Sequence, residues 1–249
     1  MIIEDADQLE GLKAAGAAVA ATLHAMKKAA EPGISTAELD RIGVKMMEDL
    51  GVAPAPPTRG FPAATCISIN DVAAHGIPSP DTIVRSGDIV NIDISGRLGE
   101  FWADNGESFA VGEADPVVLA LVAASHEANA AGIAAARAKK PVWRIGSACE
   151  RVIRHHGFHV VRNLCGHGVG ADLWEPPQIL GYADRTATTR LREGMVLAIE
   201  PFVSETATWA DEDEDDGWTL RTPGSRSAQR EHTIVVTKDE PIIVTEQPE

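Results

Sequence analysis

Three apolar, strand-like segments of the chain each carry a carboxylate where a sheet normally holds a neutral side chain. In DIVNIDIS a period-2 pattern puts the apolar residues on one face and Asp93 on the other. MVLAIEPF ends its apolar run on Glu200, just before a proline that stops the strand, and REHTIVVT has Glu231 near its start. Because an isolated buried charge is very costly, the chain must fold so that these acids gain a partner.

A fourth acid and a histidine complete a possible donor set. Asp104 lies in FWADNGESF, eleven residues beyond Asp93, and a hairpin return would turn both acids to one face. Gathered carboxylates repel one another, and two divalent cations would balance four of them in formal charge. His167, in NLCGHGVG, is the candidate nitrogen ligand. From the octapeptide alone it could equally be a catalytic base or part of a tight turn.

Composition narrows the class of protein. The chain has 249 residues, 44% hydrophobic, which is normal for a globule with a sizeable core. A net charge of −15 argues against nucleic acid or an anionic membrane as the main partner. Three cysteines without a CxxC pair predict neither a disulfide framework nor a thiolate zinc site. No secretory signal and no stretch approaching about 18 apolar residues is recognised, so a soluble cytoplasmic protein is expected.

Helices and strands are predicted in alternating blocks. A helix is expected over 4–30, and Ser35 with Glu38 forms a capping box for a second that ends near Leu50. A proline-rich loop follows, and then come the strand candidates CISIN, DIVNIDIS and FAVG. An Ala-rich helix over 116–139 and a shorter one over 145–156 precede HVVRNL, MVLAIEPF, REHTIVVT and EPIIVTE. The acidic run DEDEDD (211–216) is interpreted as a solvated loop.

Two other chemistries are weighed against a metal site. GHGVG does not open a helix, since two prolines follow it closely, so a nucleotide-binding loop is discounted. No GxSxG elbow occurs, and Cys165 beside His167 is poorly placed to form a nucleophile–base pair.

Taken together, six motifs resemble the type I methionine aminopeptidases. They occur in the order that this family requires: AHGIP, GDIVNIDIS, ADNGESF, GHGVG, AIEP and REHTIVVT. The resemblance runs from about residue 5 to 245, and the five candidate ligands are separated by 11, 63, 33 and 31 residues. It implies an α+β pita-bread fold, with a pseudo-symmetric antiparallel β core and outer helices. The whole of 1–249 would form one catalytic domain.

The resemblance also implies a site and a reaction. Asp93 would bind one divalent metal, His167 and Glu200 the other, and Asp104 and Glu231 would bridge them. A hydroxide between the two ions would attack the scissile carbonyl of a peptide or nascent-protein N-terminus. The donor set suits Mn, Fe, Co or Zn.

Individual residues take further roles by the same resemblance. Glu200 would shuttle protons, and His75 would hydrogen-bond the substrate. Trp218 matches the aromatic wall of the methionine pocket, and the glycines around His167 would leave room beside the metal, so replacing Gly168 should be harmful. A monomer is expected.

Three substrate-contacting positions depart from the family pattern. Trp174 stands where the family usually has a histidine, Thr58 where it has a tyrosine, and Leu173 where it has a phenylalanine. An indole has one N–H donor and no acceptor, so help to the transition state from that position should be weaker or differently aimed.

Three functional hypotheses follow. The first is removal of N-terminal methionine. The second is a related aminopeptidase of altered specificity, a specialised paralogue. The third is a non-catalytic binding protein that keeps the fold, but a pure binding protein gains nothing from holding four costly carboxylates.

Overall fold

The computed structural model describes residues 1–246 and contains four α-helices. They are α1 (Ala6–Ala29), α2 (Thr36–Leu50), α3 (Pro116–Ala135) and α4 (Trp143–His155). Asp5 caps α1 by accepting a hydrogen bond from the Gln8 amide, and the predicted Ser35–Glu38 capping box opens α2. The two blocks of helices predicted from composition are therefore confirmed, with ends that differ by a few residues.

Fifteen strands are described in the same part of the chain. They are β1 (Ala53–Pro54), β2 (Cys66–Ile69), β3 (Val72–Ala74), β4 (Ile89–Leu98), β5 (Phe101–Ala110), β6 (His159–Val160), β7 (Cys165–Gly168), β8 (Glu175–Leu180), β9 (Val196–Ile199), β10 (Phe202–Ser204), β11 (Asp211–Glu212), β12 (Leu220–Arg221), β13 (Ser227–Gln229), β14 (His232–Val235) and β15 (Ile242–Ile243). A 3₁₀ turn, Pro56–Arg59, follows β1. Their ladders are all antiparallel, as expected for this fold class.

Two sheets organise the molecule. One joins β1, β4 and β2, with β5 also paired to β4, and the other has the order β15-β14-β9-β7-β8. Helices α1 and α2 pack with β4 in one apolar core, and α3 and α4 pack with β9 in a second. This pseudo-symmetric arrangement of antiparallel strands with helices outside is the pita-bread fold.

Some predicted strands differ from the observed ones. Only the first two residues of FAVG are a strand, as the end of the long strand β5, which stops at Ala110. Only His159–Val160 of HVVRNL is a strand. His167 lies inside β7, so the turn interpretation of GHGVG is wrong. Most of the acidic run is exposed, but β11 takes its first two residues, and Asp216 accepts hydrogen bonds from the Trp218 and Thr219 amides.

The expectation that no segment approaches the length and hydropathy of a membrane span is wrong for helix α3. By length and mean hydropathy it is the one helix within residues 1–246 that could cross a bilayer, although it contains His126, Glu127 and Asn129. In the fold it packs against α4, and 44% of its most apolar window is buried. The core helix of a globular domain has the same properties.

Candidate metal centre

The β4–β5 hairpin brings the first two acids together. Asp93 lies opposite Gly106 and Asp104 lies opposite Ser95, so the two acids are diagonal neighbours on one face. Asp104 is buried and Asp93 is partly buried, and the two carboxyl groups are close enough to shift each other's pKa. The hairpin interpretation of their eleven-residue separation is confirmed.

The other three residues come from the second sheet. His167 on β7 lies opposite Ala198 on β9, and Glu200 directly follows the end of β9. Glu231 immediately precedes β14, and its amide donates to the Gly106 carbonyl of β5 at 2.7 Å. This bond ties the two sheets together at the place where the five side chains meet.

The distances within this cluster suit a cation. His167 Nε2 lies 3.6 Å from Asp104 Oδ2 and 3.4 Å from Glu200 Oε1. One donor atom each from Asp104, His167 and Glu231 lies within 4.8 Å of the others. His167 Nδ1 lies 3.0 Å from the Gly168 carbonyl, to which it donates, so Nε2 presents its lone pair to the carboxylates. A metal about 2.0 to 2.2 Å from each donor fits between groups spaced in this way.

The pKa shifts of the clustered side chains also favour a bound cation. Burial raises the pKa of Asp93 to about 6 and raises those of Asp104, Glu200 and Glu231 well above their ordinary values, with repulsion from neighbouring carboxylates as the next cause for these three. Burial lowers the pKa of His167 to about 4, so its imidazole is neutral at pH 7. Asp104 Oδ1 and Glu231 Oε1 are buried without a hydrogen-bond partner. The protein alone leaves these oxygens unsatisfied, and divalent cations would satisfy them.

A layer of neutral polar groups orients the acids. Gln229 Nε2 donates to Glu231 Oε2 at 3.0 Å, and Asn91 Nδ2 donates to Gln229 Oε1 at 2.9 Å. Thr233 Oγ1 accepts from the Asp104 amide at 2.9 Å. The sequence analysis missed these residues. The alternation of β4 was a usable signal for Asn91, since it stands two positions before Asp93 on the same face.

The cluster forms the floor of a cavity of about 60 Å³. Of the predicted substrate contacts, His75, Leu173, Trp174 and Trp218 line it. Thr58 does not. It is exposed on the 3₁₀ turn, where its hydroxyl donates to the Ala55 carbonyl at 2.7 Å. The expectation that Thr58 forms part of the pocket is therefore corrected.

Other residues supply the wall instead, and the sequence analysis missed them. Pro56, Arg59 and Phe61 line the cavity, and the rings of Phe61 and Trp218 meet edge to face at 5.5 Å. Cys66 lies opposite Asp93 and is buried, and burial raises the pKa of its thiol well above the usual value. It packs as a small neutral side chain.

His75 is held in an uncommon backbone conformation. Its φ angle is 54°, in the left-handed region that few residues other than glycine and asparagine adopt. Burial lowers the pKa of its imidazole, while a hydrogen bond to the Trp218 backbone works in the opposite direction. The neutral ring lines the cavity, where a ring nitrogen can hydrogen-bond a ligand.

Trp174 stands at the mouth of the cavity. It is 48% exposed, and the guanidinium of Arg59 lies over its ring at 5.3 Å. Arg59 also forms an ion pair with Asp172. The indole is thus held by the rim rather than by the metal cluster.

Gly168→Ala should destabilise the protein by about 1 to 3 kcal/mol. A methyl group at this position would lie 2.5 Å from the Pro176 carbonyl oxygen and 2.9 Å from that of Glu175, and both are backbone atoms. Urea unfolding of Gly168→Ala measures the effect. Gly181→Ala is the control, because its added methyl group approaches nothing closer than 3.2 Å. Equal stabilities of the two variants would contradict the close approach.

Four carboxylates and a neutral imidazole on the inner face of a pita-bread fold define the class of metal-dependent hydrolases with this architecture. Within that class, the chain belongs to metallopeptidase family M24, whose model matches residues 10–238.

Relatives and solved structures agree with this membership. The chain is 45% identical to methionine aminopeptidase 2 of Bacillus subtilis, over 98% of this chain and 99% of that protein. It is 39% identical to a methionine aminopeptidase of Staphylococcus epidermidis, over 98% of each chain. The crystal structure of methionine aminopeptidase from Thermotoga maritima superposes with a TM-score of 0.94 at 34% identity, covering 99% of this chain and 100% of that one.

Proposed function

We propose that this metallopeptidase removes the N-terminal methionine from peptides and newly made proteins. The observation that carries the proposal is the meeting of Asp93, Asp104, His167 and Glu200 on the floor of a small cavity, with Glu231 buried beside Asp104 and His167. Relatives that match over nearly their full length bear the name methionine aminopeptidase.

The five residues would hold two divalent cations, of Mn, Fe, Co or Zn. Asp93 would bind one ion, His167 and Glu200 the other, and Asp104 and Glu231 would bridge them. The unsatisfied oxygens of Asp104 and Glu231 support a bridging role, because each carboxylate has one oxygen without a protein partner. Bound ions would polarise the scissile carbonyl and lower the pKa of water towards 7.

The protein groups would handle protons and position the substrate. Glu200 is buried, and its raised pKa favours holding a proton between two steps of hydrolysis. His75 would use a ring nitrogen to hydrogen-bond the substrate backbone. The acidic floor beside Asp93 would attract the free α-amino group of the peptide, which restricts cleavage to the first residue.

The apolar residues of the cavity wall would favour a substrate whose first side chain is apolar. Phe61, Leu173 and Trp218 surround the space above the carboxylates. A methionine side chain is flexible and its sulfur makes favourable contacts with aromatic rings.

An activity assay tests the proposal. Purified protein supplied with Mn²⁺, Co²⁺, Fe²⁺ or Zn²⁺ should release methionine from Met-Ala-Ser. It should not cleave N-acetyl-Met-Ala-Ser, which lacks the α-ammonium group. Preferred cleavage of another first residue would support a specialised paralogue, and metal binding with no cleavage of a peptide panel would support a binding protein.

Trp174→His is expected to raise kcat on Met-Ala-Ser by about fivefold. The substitution adds an imidazole that can both donate and accept, and one net hydrogen bond is worth about 1 kcal/mol. Steady-state kinetics measure it, and Trp209→His, at another exposed tryptophan, is the control. An unchanged or lower kcat would mean that the rim formed by Arg59 and Asp172 is adapted to the indole.

The chain would act as a single catalytic domain and as a monomer. In the cytoplasm it would meet nascent chains as they are made.

A further inference from the structure

A second cavity, of about 400 Å³, lies between α3 and the strands β14 and β15. Its polar lining includes His126, Arg137, Arg230 and His232, with Glu240 also present. The volume falls within the range of about 300 to 1,000 Å³ that is usual for small-molecule sites. None of the five residues of the metal cluster lines it.

Arg137 has no partner for its side chain among residues 1–246. No hydrogen bond or ion pair joins its guanidinium to the protein, and its Nη1 atom is buried. A buried donor left unpaired destabilises the fold, and more so when it carries a charge. A group outside the described residues would have to supply the acceptor that the Arg137 guanidinium lacks.

Arg230 is a second cation in this cavity without a paired carboxylate. It is 9% exposed, and its Nη1 donates to Asn105 Oδ1, to the Gly106 carbonyl and to the Glu231 carbonyl. Its Nη2 donates to His232 Nε2 at 2.8 Å. These acceptors are uncharged, so the hydrogen bonds leave the positive charge unneutralised. A guanidinium has five N–H donors, and two of these remain available.

Neither arginine forms an ion pair with an acid of residues 1–246, although Glu107 and Glu231 act on Arg230 at longer range. Glu107 Oε1 forms an ion pair with Lys27 Nζ at 2.5 Å and lies 3.9 Å from His126 Nε2. Glu240 is exposed at the cavity and forms no ion pair with either arginine in the described part of the chain. Two guanidinium groups thus share a pocket in a protein whose net charge is −15.

We propose that this pocket binds a small oxyanion, a phosphate or a carboxylate, held by Arg137 and Arg230. The planar guanidinium fork matches both kinds of anion, and charge-assisted hydrogen bonds of this type are the strong ones. The anion supplies acceptors for Arg137 Nη1 and for the two unused donors of Arg230. The site is separate from the proposed peptidase centre, and its occupation does not depend on that function.

Arg137→Gln is the decisive variant, because the arginine side chain makes no bond whose loss would disturb the fold. Protein loaded with Mn²⁺ and desalted is melted with sodium phosphate, with sodium acetate, or with sodium chloride at matched ionic strength. We expect phosphate or acetate to raise the Tm of the parent protein by about 5 °C over chloride. The stronger of the two identifies the kind of oxyanion.

The variants distinguish this pocket from other anion sites. Titration calorimetry with the stabilising anion should show binding at least tenfold weaker in Arg137→Gln and unchanged in Arg151→Gln, at an exposed arginine on α4. Glu240→Gln should bind more tightly, because it removes a repulsive charge. An equal Tm rise in the parent and in Arg137→Gln would place the anion elsewhere, for example at the metal cluster, and would overturn the proposal, as would no rise with either anion.

Discussion

Asp104→Asn should lower kcat/KM for Met-Ala-Ser by about 10³-fold while making the metal-free protein more stable. If Asp104 bridges two cations as proposed, its loss removes several kcal/mol of stabilisation of the transition state, and each 1.36 kcal/mol is a factor of ten in rate. Asn keeps the size and one carbonyl oxygen of the side chain, so packing beside Ser95 is retained.

The expected gain in stability of the metal-free protein comes from removing the charge of Asp104. Burial and repulsion from Glu231 and Asp93 raise the pKa of Asp104 well above its usual value, so its ionisation opposes folding when no cation is present. A raised folded-state pKa means that stability is lost as the pH rises through it. At pH 8, after dialysis against EDTA, Asp104→Asn should therefore gain about 1 to 3 kcal/mol in urea unfolding.

Asp211→Asn is the matched control for this prediction. Asp211 is exposed on β11, away from the cavity, and its substitution should change neither activity nor stability by more than about 0.5 kcal/mol. An Asp104→Asn variant that kept full activity, or that was much less stable without metal, would contradict the assigned role.

His75→Ala is expected to lower kcat by about 10² to 10³ with little change in KM. One preorganised hydrogen bond to the reacting group typically contributes this much, and the effect belongs to the transition state. Both residues carry a Cβ at φ 54°, but histidine is found in this left-handed region more often than alanine, so the variant should also lose some stability.

A second variant separates the chemistry from the backbone strain. His75→Asn tolerates the left-handed conformation and retains an amide, so it should fold with a Tm close to that of the parent and recover part of kcat. His155→Ala, at an exposed histidine on α4, should be neutral. If His75→Asn folded normally and His75→Ala lost activity only in proportion to its unfolded fraction, His75 would have no role in catalysis.

The central part of the site could be predicted from the sequence because strand alternation is a local property. The pattern around Asp93 fixed the face on which that acid lies, and the short return to Asp104 limited the hairpin register. Glu200 was recognisable because Pro201 follows it and ends the strand.

The rim of the cavity could not be predicted in this way. Phe61 and Arg59 belong to the loop after β1, and Leu173 belongs to a segment more than 100 residues later, with Arg59 and Asp172 paired across them. No local periodicity relates such loops, since tertiary packing alone brings them together. Thr58 was expected in the wall by the family resemblance alone, whereas the 3₁₀ turn directs its hydroxyl to Ala55.

A count of bound metal ions tests the central claim, that buried carboxylates gather here to hold paired cations. Equilibrium dialysis of the EDTA-treated protein against Mn²⁺ or Co²⁺, followed by elemental analysis, should give two ions per chain. The number should fall to one or none in Asp104→Asn and in Glu231→Gln, and remain two in Asp211→Asn. Retention of no ions by the parent protein, or of two by all three variants, would contradict the account.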